Sequence, residues 1–320
     1  MPQPLAKSSQ MPELRIISLI ASATEIIHAL GLGDKQVGRS HECDFPMAVR
    51  DLPQCTAPKF DVDASSIEID LRIKYILENS LSVYKVDAEI IDELAPTHII
   101  TQAQCEVCAV SLKDVEEAAC NLIHSNPKII SLSPDCLEDF YDDLLLLGKA
   151  LGVDEKAQAL MAEMQDYASD IKMRAAQGQN PGAQPPRVAV IEWIQPLMAA
   201  GNLVPQFVQI AGGINLFGVA GRHSPWMQME DLIASNPDVI VVTPCGFDNE
   251  RTAQEIPLLL EAKGFTDLKA VREHRLYLAD GNQYFNRPGP RIIDSLEILM
   301  EILHEGKFDF SHHKSGWIRL

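Results

Sequence analysis

A chain of 320 residues, 46% of them apolar, is long enough for two α/β lobes and rich enough to bury a core in each. Its 45 Asp and Glu against 27 Lys and Arg give a formal net charge of −18. That balance excludes a broad nucleic-acid or anionic-membrane surface, since both need clustered positive charge. Wholesale disorder is excluded by the apolar content, and no run reaches the ~18 apolar residues of a membrane span.

Residues 1–14 read as an arm. They lack the basic segment and long apolar run of an export signal, so the chain is expected in the cytoplasm. Seven cysteines, an odd number with a single C-x-x-C at Cys105 and Cys108, fit a reducing compartment better than a disulfide framework. Strand–helix alternation then begins, with a strand over 15–20 and a helix over 23–30 ended by Gly31 and Gly33. Helices over 71–81 and 88–94, a strand over 98–101, a helix over 111–124 and a strand over 128–132 complete a first α/β lobe, 15–135. An amphipathic helix over 137–151 stops at Gly152, and 154–177 is an unbroken helical pattern about 36 Å long at 1.5 Å per residue.

The linker QGQNPGAQPP ends that pattern, so 136–180 are connecting helices and 181–305 a second lobe. Its expected elements cover 187–193, 204–211, 229–235, 239–243, 256–263, 275–279 and 291–304. Residues 306–320 show no period and read as a tail, with His312 and His313 in solvent. The expected fold class is therefore α/β: two Rossmann-like lobes joined by one long backbone helix, with a ligand cleft between them. A short repeat places EIIDELAPTHII from Glu89 and EDLIASNPDVIV from Glu230 once in each lobe, each with Pro seven residues after the Glu and then an apolar strand.

Ligands of open α/β sheets sit beyond the carboxyl ends of the strands. The polar and aromatic segments expected there are SATE, GRSHECDFP with CTAPK, and TQAQCEVCAVS in the first lobe. The second lobe offers Glu192–Trp193, GRHSPW, PCGF and DGNQYFNRPGPR. Glu192, His223 and Tyr284 are expected to face His41 and Gln104 across one pocket. Arg287 and Arg291 suit an anionic or amide-bearing group. Cys43, Cys105, Cys108, His223 and Cys245 form a set that folding can bring together around Zn or Fe, although no second C-x-x-C completes a structural zinc spacing. Dinucleotide, P-loop, G-x-S-x-G and H-E-x-x-H signatures are absent.

RIISLIASATEIIHALGLGDKQVGRS, CDFP, LAPTHII and SNPDVIVV together resemble the vitamin B12- and iron-siderophore-binding proteins of ABC importers over residues 15–305. This is the class III periplasmic-binding-protein type with a helical backbone. GRSHECDFP, QCEVCAVS, PCGF and NRPGPR bring the chain nearest to members labelled cobalamin-binding. The resemblance implies a binding protein rather than an enzyme, with no required cofactor and with cobalamin or a related corrinoid or metal chelate as ligand. The contacts expected are His41, Glu42, Asp44, Phe45, Gln104, Glu192, Trp193, His223, Trp226, Tyr284 and Arg287. It also implies that Glu89 and Glu230 dock on an ABC permease. The cysteines depart from the B12-binding pattern and keep a second expectation open: a cytosolic metal-handling protein or enzyme that uses a Cys/His cluster in the same cleft.

Overall fold

The computed structural model describes residues 13–78, 83–102, 124–180 and 182–320. The first lobe contains strands β1 (Ile16–Ser18), β2 (Gln36–Arg39), β3 (Thr56–Pro58), β4 (Tyr84–Val86), β5 (His98–Gln102) and β6 (Lys128–Leu132). Four of them make a parallel sheet in the order β2-β1-β5-β6, while β3 and β4 pair antiparallel beside it. The second lobe holds β7 (Arg187–Trp193), β8 (Met198–Ala199), β9 (Ile214–Asn215), β10 (Val239–Val242), β11 (Leu276–Ala279) and β12 (Trp317–Arg319). Their order is β12-β11-β10-β7-β8, with β9 also on β7. The central strands IIS, VIVV and LYLA are buried at every position, as strands covered by helices on both faces must be.

Between the lobes run the helices Leu137–Leu151 and Asp154–Gly178. The second is 25 residues long and buries Ala157, Met164, Ile171 and Ala175, a stripe at seven- and four-residue spacing on one face. A Cβ at Gly148 would lie 2.3 Å from the Ala157 Cβ, so glycine is what lets these two helices touch. One apolar cluster runs from Ile16, Ile26 and Leu144 through Met164 and Ile171 to Val188 and Leu299. The two lobes therefore share a core along the backbone helix, and each has its own smaller cluster. A shared core resists large hinge motion.

Three expectations need correction. The helix expected over 71–81 is Ser66–Glu78, because Glu68 reaches back to the Ser65 N–H at 3.0 Å and hydroxyl at 2.6 Å, an arrangement like a capping box. That expected over 256–263 is Asn249–Leu260, started by the Asp248 carboxylate on the Arg251 N–H at 2.7 Å. The tail is not loose. β12 pairs antiparallel with β11, the buried Trp317 donates Nε1–H to Glu301, and His312 lies half-buried with Nε2 2.7 Å from Glu297. A three-residue strand carries too little period to be read. All but the last residue of the helix expected over 111–124 lies outside the described residues.

The repeat has a backbone counterpart. Glu89 and Glu230 each stand exposed in the first turn of a short helix, Ala88–Glu93 and Met229–Ser235. Each helix is followed by a left-handed residue, Ala95 (φ 43°) and Asn236 (φ 41°), directly before the proline. β5 and β10 then begin.

Candidate functional site

Two polar ties bring the lobes together. In the first, Arg287 of the second lobe is 6% exposed and donates to Asp44 at 2.5 Å, to Glu25 at 3.4 Å and to Asn282 at 3.2 Å. Arg291 donates to the same Glu25 oxygen at 2.6 Å and to Gln283 at 3.1 Å. Its guanidinium also covers the Phe45 ring at 4.1 Å. Glu25, on the buried Ala21–Ala29 helix, would be a costly isolated charge without these two arginines.

The second tie joins the start of the Ser66–Glu78 helix to the Asn249–Leu260 helix. The Ser66 N–H donates to Glu255 at 2.7 Å, and Arg251 donates to the Ala64 carbonyl at 2.5 Å and to Glu255 at 2.9 Å. A carboxylate of one lobe thus caps a helix of the other, where the N-terminal partial charge favours an anion. Farther along that helix, Lys74 covers the Trp226 ring at 5.3 Å.

The first-lobe wall is titratable. The His41 Nδ1 is 2.8 Å from the Thr56 hydroxyl and the ring packs on Tyr84, while Nε2 has no hydrogen-bond partner and lies 3.8 Å from Glu42. Burial, helped by the Arg39 charge, lowers the His41 pKa to about 4, so the imidazole is neutral at pH 7. Glu42 keeps 39% side-chain exposure, yet desolvation pushes its carboxyl up to about 7 against the pull of Arg287 and with a push from Asp44. Cys43 beside it is fully buried and hydrogen-bonded to Thr24 at 3.1 Å and Ser40 at 3.2 Å, and burial raises its pKa. Such a thiol is inert.

The second-lobe wall is aromatic. Trp193, at the end of β7, packs on Phe247 at 5.2 Å, and Phe247 lies under Arg251 at 4.5 Å. Trp226 is 55% exposed and lines a depression of about 400 Å³ with Phe217, Pro225 and Met227. Tyr284 is half-buried, 5.4 Å from the Arg291 guanidinium.

Other expected contacts are placed differently. Glu192 is buried within the second lobe and accepts the Ser224 hydroxyl at 2.8 Å, while that hydroxyl accepts the Gly201 N–H at 3.0 Å. It therefore braces the GRHSPW loop. His223 is exposed, with Nδ1 3.0 Å from the Ser224 carbonyl, and Cys245 is half-buried. Cys43, His223 and Cys245 do not converge as metal ligands; Gln104, Cys105 and Cys108 lie outside the described residues. Among the described residues, Asp294, Glu297 and His312 are the group whose ligand-type atoms fall within 4.8 Å of one another. There Glu297 takes hydrogen bonds from His312 and Tyr167, tying the tail and last helix to the backbone helix.

Sequence reasoning missed Glu25, Ser66, Arg251 and Glu255 as lobe-joining groups. SATE and RPGPR were visible as segments, but the Glu25–Arg291 pairing spans 266 residues and leaves no local signal.

Comparison with known proteins places this architecture. The ABC transporter substrate-binding lipoprotein YvrC of Bacillus subtilis is 23% identical over 297 residues, covering 92% of this chain and 81% of that protein. A vitamin B12-binding protein of Vibrio vulnificus is 25% identical over 295 residues, covering 91% and 90%. The crystal structure of a periplasmic heme-binding protein from Pseudomonas aeruginosa shares the fold at a TM-score of 0.67, with 21% identity over 92% of this chain and 94% of that one. The lipoprotein and the periplasmic heme-binding protein among these relatives, with the family match that follows, overturn the expectation of a cytoplasmic chain, which rested on the composition of residues 1–14. The periplasmic binding protein family model matches residues 16–282, and the chain belongs to that family.

Proposed function

We propose that the chain is the substrate-binding component of an ABC importer and holds a flat tetrapyrrole-type metal chelate, a corrinoid or a heme, in the inter-lobe cleft. The observation that carries this reading is the pair of unlike walls. Trp193, half-buried at the end of β7 and backed by the buried Phe247, offers an aromatic face in one lobe, and His41, Glu42 and Phe45 stand on the loop after β2 in the other. A planar macrocycle buries its faces on aromatic rings and presents polar arms at its edge, which suits this division. The relatives bear on it through their names, which give vitamin B12 and heme as ligands of those proteins.

Glu89 and Glu230 support the importer half of the reading. Both are exposed at the starts of equivalent short helices, one in each lobe, so they offer matched carboxylates to paired cations on a two-fold permease. A thermal-shift series with cobinamide, cobalamin, heme and a ferric siderophore tests the ligand class. A true ligand at ~100 times its Kd adds about 2.7 kcal/mol of stability. A shift from the siderophore alone would overturn the tetrapyrrole assignment.

A further inference from the structure

The arginines of the two walls are already paired, and Glu42 is the carboxylate that none of them engages as an ion pair. Arg287 is committed to Glu25 and Asp44, Arg291 to Glu25, and Arg251 to Glu255. Each of these arginines is already engaged by a carboxylate, with Glu25 shared by Arg287 and Arg291, and Asp44 also has Arg50 at 3.8 Å. Glu42 is the remainder. The charged and titratable groups around it are His41, Cys43 and Asp44 on its own loop and Arg287 from the opposite lobe. No guanidinium among the three in the ties is left for an anion, and Glu42 keeps 39% of its side chain exposed two residues before Asp44, which meets Arg287 of the other lobe.

We infer that Glu42 is a charge filter of the cleft, admitting uncharged or cationic chelates and rejecting those whose edge carries free carboxylates. This rests on the tetrapyrrole reading and sharpens it. A carboxylate arm brought against Glu42 is a like-charge contact in a confined space.

The ties carry the same bias. Each leaves one buried glutamate oxygen unpartnered, Glu25 Oε2 and Glu255 Oε2, together with an unpartnered arginine Nε–H, of Arg291 and Arg251. The second tie adds the Ser66 hydroxyl. Where the lobes part to admit an arm, a carboxamide satisfies both halves, giving N–H to the glutamate and taking N–H on its carbonyl. A carboxylate satisfies only the arginine and leaves two anions facing each other.

The test compares one macrocycle in two charge states, heme with free propionates and its dimethyl ester, with cobinamide as an amide-bearing cation. Wild-type protein and Glu42→Gln are titrated at pH 8. The wild type is expected to bind the ester and cobinamide at least ~10-fold more tightly than the diacid, and E42Q to tighten the diacid by about that factor. A second arm needs no variant: the preference of the wild type should shrink from pH 8 to pH 6 as Glu42 protonates. Equal wild-type affinities for diacid and ester, or a preference that neither the variant nor pH moves, would overturn the filter and leave the tetrapyrrole reading intact. Binding of none of the three would instead remove the reading on which the filter rests.

Discussion

The two walls of the cleft are built from different chemistry on the same scaffold. The first lobe carries His41, Glu42 and Asp44 on a loop braced by the buried thiol of Cys43, with the His41 pKa lowered to about 4 and that of Glu42 raised to about 7. The second presents Trp193 at the end of β7, backed by the buried Phe247, with arginines held in place by carboxylates. Aromatic area binds many flat ligands with little discrimination, whereas a few fixed charges discriminate with little area. On the proposed reading, affinity and selectivity reside in different lobes and can be changed separately.

The largest effect should come from cutting the tie between the walls. Arg287→Ala removes the cation that Glu25 and Asp44 share, leaving Glu25 to Arg291 and Asp44 to the more distant Arg50, and up to about 3 kcal/mol of stability should be lost. Urea denaturation measures it, and a cost below about 1 kcal/mol would mean that the tie is incidental. Next in size is the aromatic wall. Trp193→Ala with Phe247→Ala should weaken ligand binding by about 2–3 kcal/mol, or roughly 30- to 150-fold. Because Trp193 is only half-buried, Trp193→Ala alone should cost less stability than Arg287→Ala.

The acidic wall predicts how stability follows pH. His41 has a folded pKa below its ordinary value, so the folded state holds fewer protons than the unfolded one and stability falls as pH drops from about 6.5 toward about 4. Glu42 has a folded pKa above its ordinary value, so its contribution is present at low pH and is lost as pH rises from about 4.5 through about 7. Glu42→Gln should therefore raise the Tm at pH 8 and leave it nearly unchanged below pH 5. An equal rise at both values would place the Glu42 carboxylate in open solvent. The smallest effect on the isolated protein is expected at the proposed docking residues. Glu89→Lys with Glu230→Lys should shift stability by no more than about 0.5 kcal/mol at each site and leave ligand affinity unchanged, while abolishing stimulation of the partner permease ATPase. Intact stimulation would remove these two residues from the docking surface.

Much of the scaffold was legible before the fold was known. The backbone helix announces itself by some 25 residues without a breaker, and runs such as VIVV and LYLA mark strands buried on both faces. Even the repeat survives in the backbone, down to the left-handed residue before each proline. The site was legible only as a set of segments. Which side chain of a segment turns inward depends on partners far away: Glu192 turns to Ser224, and Arg287 to Glu25 and Asp44. Local signals exist for some of what was missed, as in the Ser65–Glu68 start of the helix that Glu255 caps. The charge balance of the walls has no such signal, since it exists only once the lobes meet.

The central claim is that one macrocycle lies between the two walls, and calorimetric titration with cobinamide and heme tests it most directly when the wild type, Trp193→Ala/Phe247→Ala and Glu42→Gln are run side by side. The account predicts one site per chain, a large loss of affinity for both ligands in the aromatic double variant, and a change in ligand preference in E42Q. Undiminished binding in the double variant, or a stoichiometry other than one, would place the ligand elsewhere and contradict it.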